Sequence, residues 1–401
     1  MHAISVEQAV VRITAALSAV DTWEEVELSR AGGRILAEDI VSIQPQPPFD
    51  RSPLDGYALM AADTVGASKD QPVTLRVIDR VMAGSVASET VTAGTAVRIM
   101  TGAPIPAGAD CVIRQEDTDY GEEQVAIYTP LRKHENYCFC GEDYPAGAPL
   151  MDRGEKLDAV DIGILAGAGI ASVKVYRKVR VALITSGDEL IAPGMAGRPG
   201  KIYNSNHYLL RSRLSELGFD PVMCAHVGDE AEETASRIRT AAREADLIIT
   251  TGGVSVGQRD VMHEVVSLLE GEQLFWRIAA KPGSPVLAYT FGGKPVIALS
   301  GNPFGAFATF ELLVRPALAK LSGDRTLEME KIRATVEGDF TKETKGRRFV
   351  RAKYRHGTVE IPKQGHASGM LSALKHCNCL VDIQGPNGGL HTGDTVEVWL
   401  L

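Results

Sequence analysis

Between residues 179 and 321, short apolar runs alternate with longer amphipathic ones, and this alternation constrains the fold more than any other feature of the chain. The runs at 179–184, 222–227, 247–250 and 295–299 are too short for helices and are flanked by turn residues, so they read as strands. Between them, residues 205–217 place Leu210, Leu214 and Leu217 on one helical face and stop at Gly218, and 230–244 and a stretch near 259–269 keep the helical period. Further strands are predicted near 274–279 and 286–290, and a long helix from Pro303. Such alternation predicts a doubly wound, mainly parallel α/β sheet with helices on both faces.

The flanks read differently. Ser5, with Gln8 three positions on, forms a capping box for a helix over 5–18 striped by Val6, Val10, Ile13 and Leu17. From about residue 45, Pro, Gly and short alternating segments such as 73–77 and 112–114 predict a β-rich lobe ending near Cys140. Residues 157–175 return to a helix and a short strand. From Lys331, strands at 333–336, 349–354, 358–361, 379–383 and 395–400 predict a small barrel or sandwich. A chain of 401 residues divides into two to four domains at a prior of about 150 residues each. The fold class is therefore multidomain α/β plus β.

Composition matters here mainly for what it excludes. A net charge of −9 argues against a general nucleic-acid binder, whose affinity rests on a basic surface, but leaves room for an anionic small molecule held by a few local cations and N–H groups. No apolar run is long enough to span a bilayer, and the first residues lack the basic and apolar stretches of a secretory signal, so a cytoplasmic protein is expected. Six cysteines in a chain this long predict reduced thiols rather than a disulfide framework. His134, Cys138 and Cys140, like His376, Cys377 and Cys379, have a spacing that metal ligands can use, though C-x-C pairs are weaker signals than paired C-x-x-C knuckles.

The polar motifs fall where a doubly wound sheet binds ligands, at the carboxyl ends of its strands. Thr185-Ser186-Gly187-Asp188-Glu189 follows the first strand, Gly228-Asp229-Glu230 the second, Gly252-Gly253-Val254-Ser255-Val256-Gly257 the third, and Ser300-Gly301-Asn302-Pro303 a later one. Glycines let backbone N–H groups approach an oxyanion, and Asn302 with Pro303 can open a helix whose free N–H groups face an anion; the plainer reading of both is a tight turn. Asp55-Gly56 reads first as a structural turn. Asp55, Glu142, Asp143, Asp188, Glu189, Asp229 and Asp260 offer oxygen ligands for Mg²⁺ shared with phosphate. Arg277 and Lys281 fall on one side of an extended segment by period two and suit a tetrahedral dianion. Arg351, Lys353 and Arg355 alternate with Val350, Ala352 and Tyr354, which reads as a solvated strand face unless Arg351 turns to the crevice.

Taken in order, Phe49-Asp50-Arg51-Ser52-Pro53-Leu54-Asp55-Gly56-Tyr57-Ala58, Ile99-Met100-Thr101-Gly102-Ala103-Pro104, Gly141-Glu142-Asp143, Thr185 to Leu190, Asn204-Ser205-Asn206, Gly252 to Gly257, Lys281-Pro282-Gly283-Ser284-Pro285 and Ser300 to Pro303 resemble the molybdopterin molybdotransferase family, the MoeA proteins and the gephyrin E domain. The resemblance implies a homodimer of four-domain subunits: 1–45 joined with 145–177, an inserted β-rich lobe at 46–144, a molybdopterin-binding α/β domain at 178–326 and a C-terminal β domain at 327–401. It implies Mg²⁺-dependent insertion of molybdate into adenylylated molybdopterin with release of AMP, and transient contact with a molybdopterin adenylyltransferase. Asp55, Thr101, Asp188 and Glu189 would be catalytic, with Asp55, Glu142, Asp143 and Glu189 as metal ligands. Substrate would be bound by Ser186, Asp229, Gly252, Gly253, Ser255, Gly257, Asp260, Arg277, Lys281, Ser300, Asn302, Pro303, Arg351 and Ser372. Ser284, Ser300 and Gly305 depart from the Lys, Pro and Ser commonest in the resemblance. The competing readings are a molybdopterin adenylyltransferase, which shares only the α/β core and would not need 46–142 and 331–401, and a gephyrin-like scaffold.

Overall fold

Six strands form the central sheet: β1 Val181–Ser186, β2 Met223–Val227, β3 Leu247–Thr251, β4 Glu272–Trp276, β5 Leu287–Phe291 and β6 Lys294–Leu299. The computed structural model describes residues 3–254, 261–363 and 365–401. The sheet order is β2-β1-β3-β6-β5-β4; the first four strands run parallel, and β5 and β4 return antiparallel. Alternation along each strand supplies two cores. Val181 and Leu183 of β1 join one with Leu247, Ile249 and Leu299, while Ala182 and Ile184 join the other with Ile248, Val296 and Ala298. Burial on both faces is why these strands read as unbroken apolar runs.

The helices that cover the sheet are α1 Val6–Ala15, α2 Ser205–Glu216, α3 Ala231–Ala241, α4 Val261–Leu268, α5 Pro303–Thr309 and α6 Arg315–Ser322. The Ser5–Gln8 capping box starts α1, and Asn204 caps α2 by accepting from the His207 N–H at 3.2 Å. The long helix expected from Pro303 is present over 303–322 and carries a π-helical turn, Phe310–Val314, between α5 and α6. Within that turn Glu311 is fully buried and is held by Arg213 at 2.6 Å and Arg315 at 3.2 Å.

The C-terminal strands are β7 Lys331–Glu337, β8 Arg347–Arg355, β9 Thr358–Glu360, β10 Cys379–Ile383 and β11 Thr395–Leu400. They close into a barrel because β8 pairs with β9 on one side and β10 on the other, in the order β8-β9-β7-β11-β10. The short strand Ala280–Lys281 adds in parallel to β8, with Ala280 beside Arg347 and Lys281 beside Arg348. These elements belong to one compact unit, formed by Met1–Glu24, Gly33–Ile35 and Val175–Leu401.

A second unit comprises Glu25–Gly32 and Leu36–Lys174. Its five-stranded sheet runs in the order Cys111–Arg114, Gly56–Leu59, Thr95–Ile99, Val73–Val81, Gln124–Ile127. Ile40–Val41 pairs antiparallel with Pro149–Met151, so the chain on either side of this sheet comes back together. Among the described residues no helix is long and apolar enough to cross a membrane.

Candidate active site

The chain leaves β1 in one direction to reach β2 and crosses to the other side to reach β3, so the switch point of the sheet lies between β1 and β3. A crevice of about 750 Å³ opens there. Ser186, Gly187 and Glu189 after β1, Asp229 after β2, Thr251 to Val254 at β3, and Ser300 to Pro303 after β6 line it, with Asn204 to Asn206 from the start of α2. Gly252 and Gly253 hold φ of +99° and +68°, which glycine adopts without strain. A Cβ on Gly252 would lie 2.3 Å from the Ser186 carbonyl oxygen and 2.7 Å from its Oγ. The two loops therefore meet backbone to backbone, and only a residue without a side chain fits.

Asn206 fixes the third wall. Its Nδ2 donates to Thr251 Oγ1 at 3.0 Å and to the Gly301 carbonyl at 2.8 Å, tying the ends of β3 and β6 together. Its Oδ1 is buried without a partner, which leaves the crevice with an acceptor that a ligand N–H or O–H would satisfy. The motif Asn204-Ser205-Asn206 was visible in the sequence, but nothing in it separated Asn206 from its capping neighbour.

Glu189 and Asp229 bring carboxylates to the crevice. Asp188 does not line it: the Asp229 N–H donates to its Oδ1 at 3.2 Å, while its own N–H donates to Asp229 Oδ2 at 3.3 Å. Among the described residues no three His, Cys, Asp or Glu side chains converge on a metal position, the two C-x-C segments included, and all six cysteines are unpaired. Mg²⁺ commonly takes one or two carboxylates and completes its shell with water and substrate phosphate. Glu189 and Asp229 fit that use and do not make a closed cage. Ser255, Gly257 and Asp260 lie outside the described residues.

Asn302 stands at the N-cap of α5, but its side chain makes no capping bond, and the Phe304 N–H donates to the Ser368 carbonyl at 2.9 Å. The first turn is thus less open to an anion than the sequence suggested. Beyond Pro285, Ser300 and Asn302 lies a second cavity of about 380 Å³, with Lys281, Lys342, Arg348, Arg351, His366 and Ser368 in its wall. Arg351 is not on a solvated face. It is 1% exposed, because β8 turns Val350 and Ala352 into the barrel and Arg351 the other way, where its guanidinium lies 3.8 Å from the centre of the Phe304 ring. Lys342, Arg348 and His366 were not anticipated, since they come from a loop and strand positions with no local pattern.

Arg277 lines neither cavity. Its φ of +69° interrupts the extended segment, so period two does not carry it to Lys281, and its guanidinium rests 5.3 Å from the Trp276 ring centre. Ser372 is exposed on a 3₁₀ turn, Ser372–Leu374, and also lines neither. In the second unit, the Thr101 hydroxyl and N–H both donate to Asp55 Oδ1 at 2.7 Å. These bonds, the hydroxyl's first, hold the Asp55 carboxyl below the usual carboxylate range. Glu142 accepts from the Phe139 N–H at 3.1 Å, and the Asp143 N–H donates to the Gln46 carbonyl at 2.9 Å.

Comparison with known proteins covers nearly the whole chain. Residues 4–169 match a family model described as MoeA N-terminal region (domain I and II), 182–320 one described as probable molybdopterin binding domain, and 333–401 one described as MoeA C-terminal region (domain IV). A Staphylococcus aureus protein named molybdopterin molybdenumtransferase is 37% identical over 400 residues, 99% of this chain and 95% of that one. A Staphylococcus epidermidis protein of the same name is 36% identical over the same share. The solved molybdopterin biosynthesis moeA protein of Pyrococcus horikoshii matches at 31% identity with a TM-score of 0.83, covering 100% of both chains.

Proposed function

Because the chain belongs to the MoeA family, and is a transferase of molybdenum-cofactor biosynthesis, we propose that it inserts molybdate into adenylylated molybdopterin, with Mg²⁺-dependent release of AMP. The observation that carries this reading is that two cavities of opposite character share one wall, Pro285, Ser300 and Asn302. One is lined by glycine loops, an orphaned amide oxygen and two carboxylates, and the other by cations.

In this reading the nucleotide-linked pterin lies in the crevice, its phosphates against the Gly252 and Gly253 backbone and a donor on Asn206 Oδ1. Glu189 and Asp229 hold Mg²⁺, which when bound polarises the phosphoryl oxygen. Lys281 and its neighbours hold molybdate in a fixed orientation beside the dithiolene, so that displacement of oxo ligands by sulfur proceeds within a preassembled pair. The active form is taken to be a homodimer of four-domain subunits, with Asp55 and Thr101 of one copy serving the crevice of the other, and Glu142 and Asp143 as further candidate ligands.

The test is direct. Purified protein given adenylylated molybdopterin, Mg²⁺ and molybdate is expected to release AMP and to yield cofactor that activates an apo-molybdoenzyme. AMP release without cofactor, or neither product, rejects the reading.

A further inference from the structure

Most of the crevice wall is backbone, but one aromatic ring stands in it. Tyr203 is the sole aromatic side chain among the described residues that line the crevice, and it is 50% exposed, beside Ile202 at 58%. The ring is not free to fold down onto the surface, because its hydroxyl donates to the Met195 carbonyl at 3.0 Å. A tyrosine tethered at its tip and left half uncovered offers a fixed π face, with little conformational entropy to lose when something stacks on it.

The chain around the ring is held as firmly. Residues 187–203 leave β1 and return as a closed loop, because Leu190–Ile191 and Ile202–Tyr203 pair in parallel, with Ile191 beside Tyr203. The Ile202 N–H donates to the Glu189 carbonyl at 2.8 Å, the Asn204 N–H to that of Ile191 at 2.9 Å, and Lys201 Nζ to that of Asp188. Leu190, Ile202 and Tyr203 thus form an apolar shelf in an otherwise polar crevice, fastened to the same loop that carries Glu189.

A few residues further on, Asn206 supplies a polar counterpart. It is 7% exposed, and its amide orientation is fixed, because the Gly301 carbonyl can only accept and so must face Nδ2. That leaves Oδ1 buried and unpaired at the crevice wall. A buried acceptor without a donor is costly, so the site is completed by a ligand that donates. A sugar or phosphate alone would leave the ring bare, and a hydrocarbon would leave Oδ1 unmet. A planar heterocycle bearing an amino group satisfies both.

We propose that Tyr203 and Asn206 form a recognition subsite for an amino-substituted planar heterocycle, its ring stacked on Tyr203 and its N–H donating to Asn206 Oδ1. The inference deepens the proposed function and rests on it for the substrate, which holds two such heterocycles, adenine and pterin. A lost base–aromatic stack costs about tenfold in affinity, and a lost neutral hydrogen bond about fivefold.

The experiment is calorimetric titration of the purified full-length chain, with cofactor formation measured in parallel. The probes are AMP, purine riboside monophosphate, which lacks the amino group, ribose 5-phosphate, which lacks the base, and 6-hydroxymethylpterin. Tyr203→Ala is expected to weaken binding of one amino heterocycle about tenfold and to leave ribose 5-phosphate unaffected. Tyr203→Leu, which keeps apolar bulk without a π face, should lose nearly as much, and Tyr203→Phe should retain most of the affinity. Tyr203 is half exposed, so these changes open no core, and an unchanged melting temperature checks the fold. Dependence of AMP on Tyr203 puts adenine on the ring, and purine riboside monophosphate should then bind about fivefold more weakly than AMP. Dependence of the pterin probe puts the pterin there. Equal affinity for AMP and its amine-free analogue, where AMP depends on Tyr203, overturns the part assigned to Asn206. Parental affinity for both heterocycles in Tyr203→Ala and Tyr203→Leu, from a parent that makes cofactor, overturns the inference and leaves the proposed function standing. A Tyr203-dependent heterocycle in a parent that makes no cofactor supports the subsite and rejects the molybdate-insertion reading alone. A parent that binds neither heterocycle overturns the inference whether or not it makes cofactor.

Discussion

The crevice and the cationic cavity touch at Ser300 and Asn302, yet they are made of different materials. The crevice is backbone: glycines at positive φ, a loop crossing another at van der Waals range, and one asparagine that joins them. The cavity is side chain: long cations reaching in from a barrel strand, a loop and a short edge strand. A backbone site tolerates almost no change of shape, whereas a side-chain site loses affinity in steps as charges are removed. That difference makes the two regions separable by mutation.

The largest effect is expected at Gly252. Alanine there would place its Cβ 2.3 Å from the Ser186 carbonyl in a backbone region that alanine disfavours, so the β3 loop must shift. A displacement of about 1 Å at a reacting centre costs on the order of a hundredfold in rate. Gly252→Ala should therefore lose AMP release by about that factor while molybdate binding, measured by dialysis, stays near parental. If both fall together, the two regions form one mechanical unit and are not separable by mutation.

Next in size are the carboxylates. Glu189→Ala and Asp55→Ala are each expected to lower AMP release by about ten- to a hundredfold, the range for losing one supporting group around a metal, with the protein still folded. Glu189→Ala should in addition raise the Mg²⁺ concentration needed for half-maximal release. If the active form is the proposed homodimer with shared clefts, co-expressing the two inactive chains should restore about a quarter of parental activity, since random pairing gives half heterodimers and each has one intact site. No restoration would remove Asp55 from the partner's cleft.

The same contrast explains what could be read from the sequence. The sheet and the placement of Ser186, Glu189, Gly252, Gly253 and Ser300 follow from local signals, namely short apolar runs and glycine or polar residues at their ends. The cavity needed the fold. Alternating Arg351, Lys353 and Arg355 looks like a solvated face at every local scale, but barrel closure lays the first of them under Phe304 and leaves the last exposed. Arg277 departs from its period-two placement beside Lys281 for a local reason with no sequence mark, a non-glycine residue at positive φ. Lys342, Arg348 and His366 are brought to Lys281 by a two-residue strand pairing too short to give any periodic signal.

The smallest effect concerns pH and falls on the cavity. Burial first, then the charges of Arg351 and Lys342 and, least, that of Arg348, hold His366 below its ordinary value of 6.5, against an opposing bond to the Pro362 backbone. The Phe340 ring, which carries no charge, packs edge-on against it at 4.8 Å. A folded-state pKa below the unfolded one means that the unfolded chain binds the proton more readily. In the free protein His366 therefore costs nothing above its unfolded value and becomes destabilising as pH falls through it. A bound dianion reverses the local field and raises the imidazole pKa, so anion binding should take up protons and tighten as pH is lowered from about 8 to about 6. The gain is bounded at about tenfold for each pKa unit the anion restores. His366→Gln should bind molybdate with a flatter pH profile and lose less stability on the acid side than the parent. If its profile keeps the parental slope, the charge of the cavity is fixed by Lys281, Lys342 and Arg348 alone, and the side-chain site is graded by mutation but not by protons.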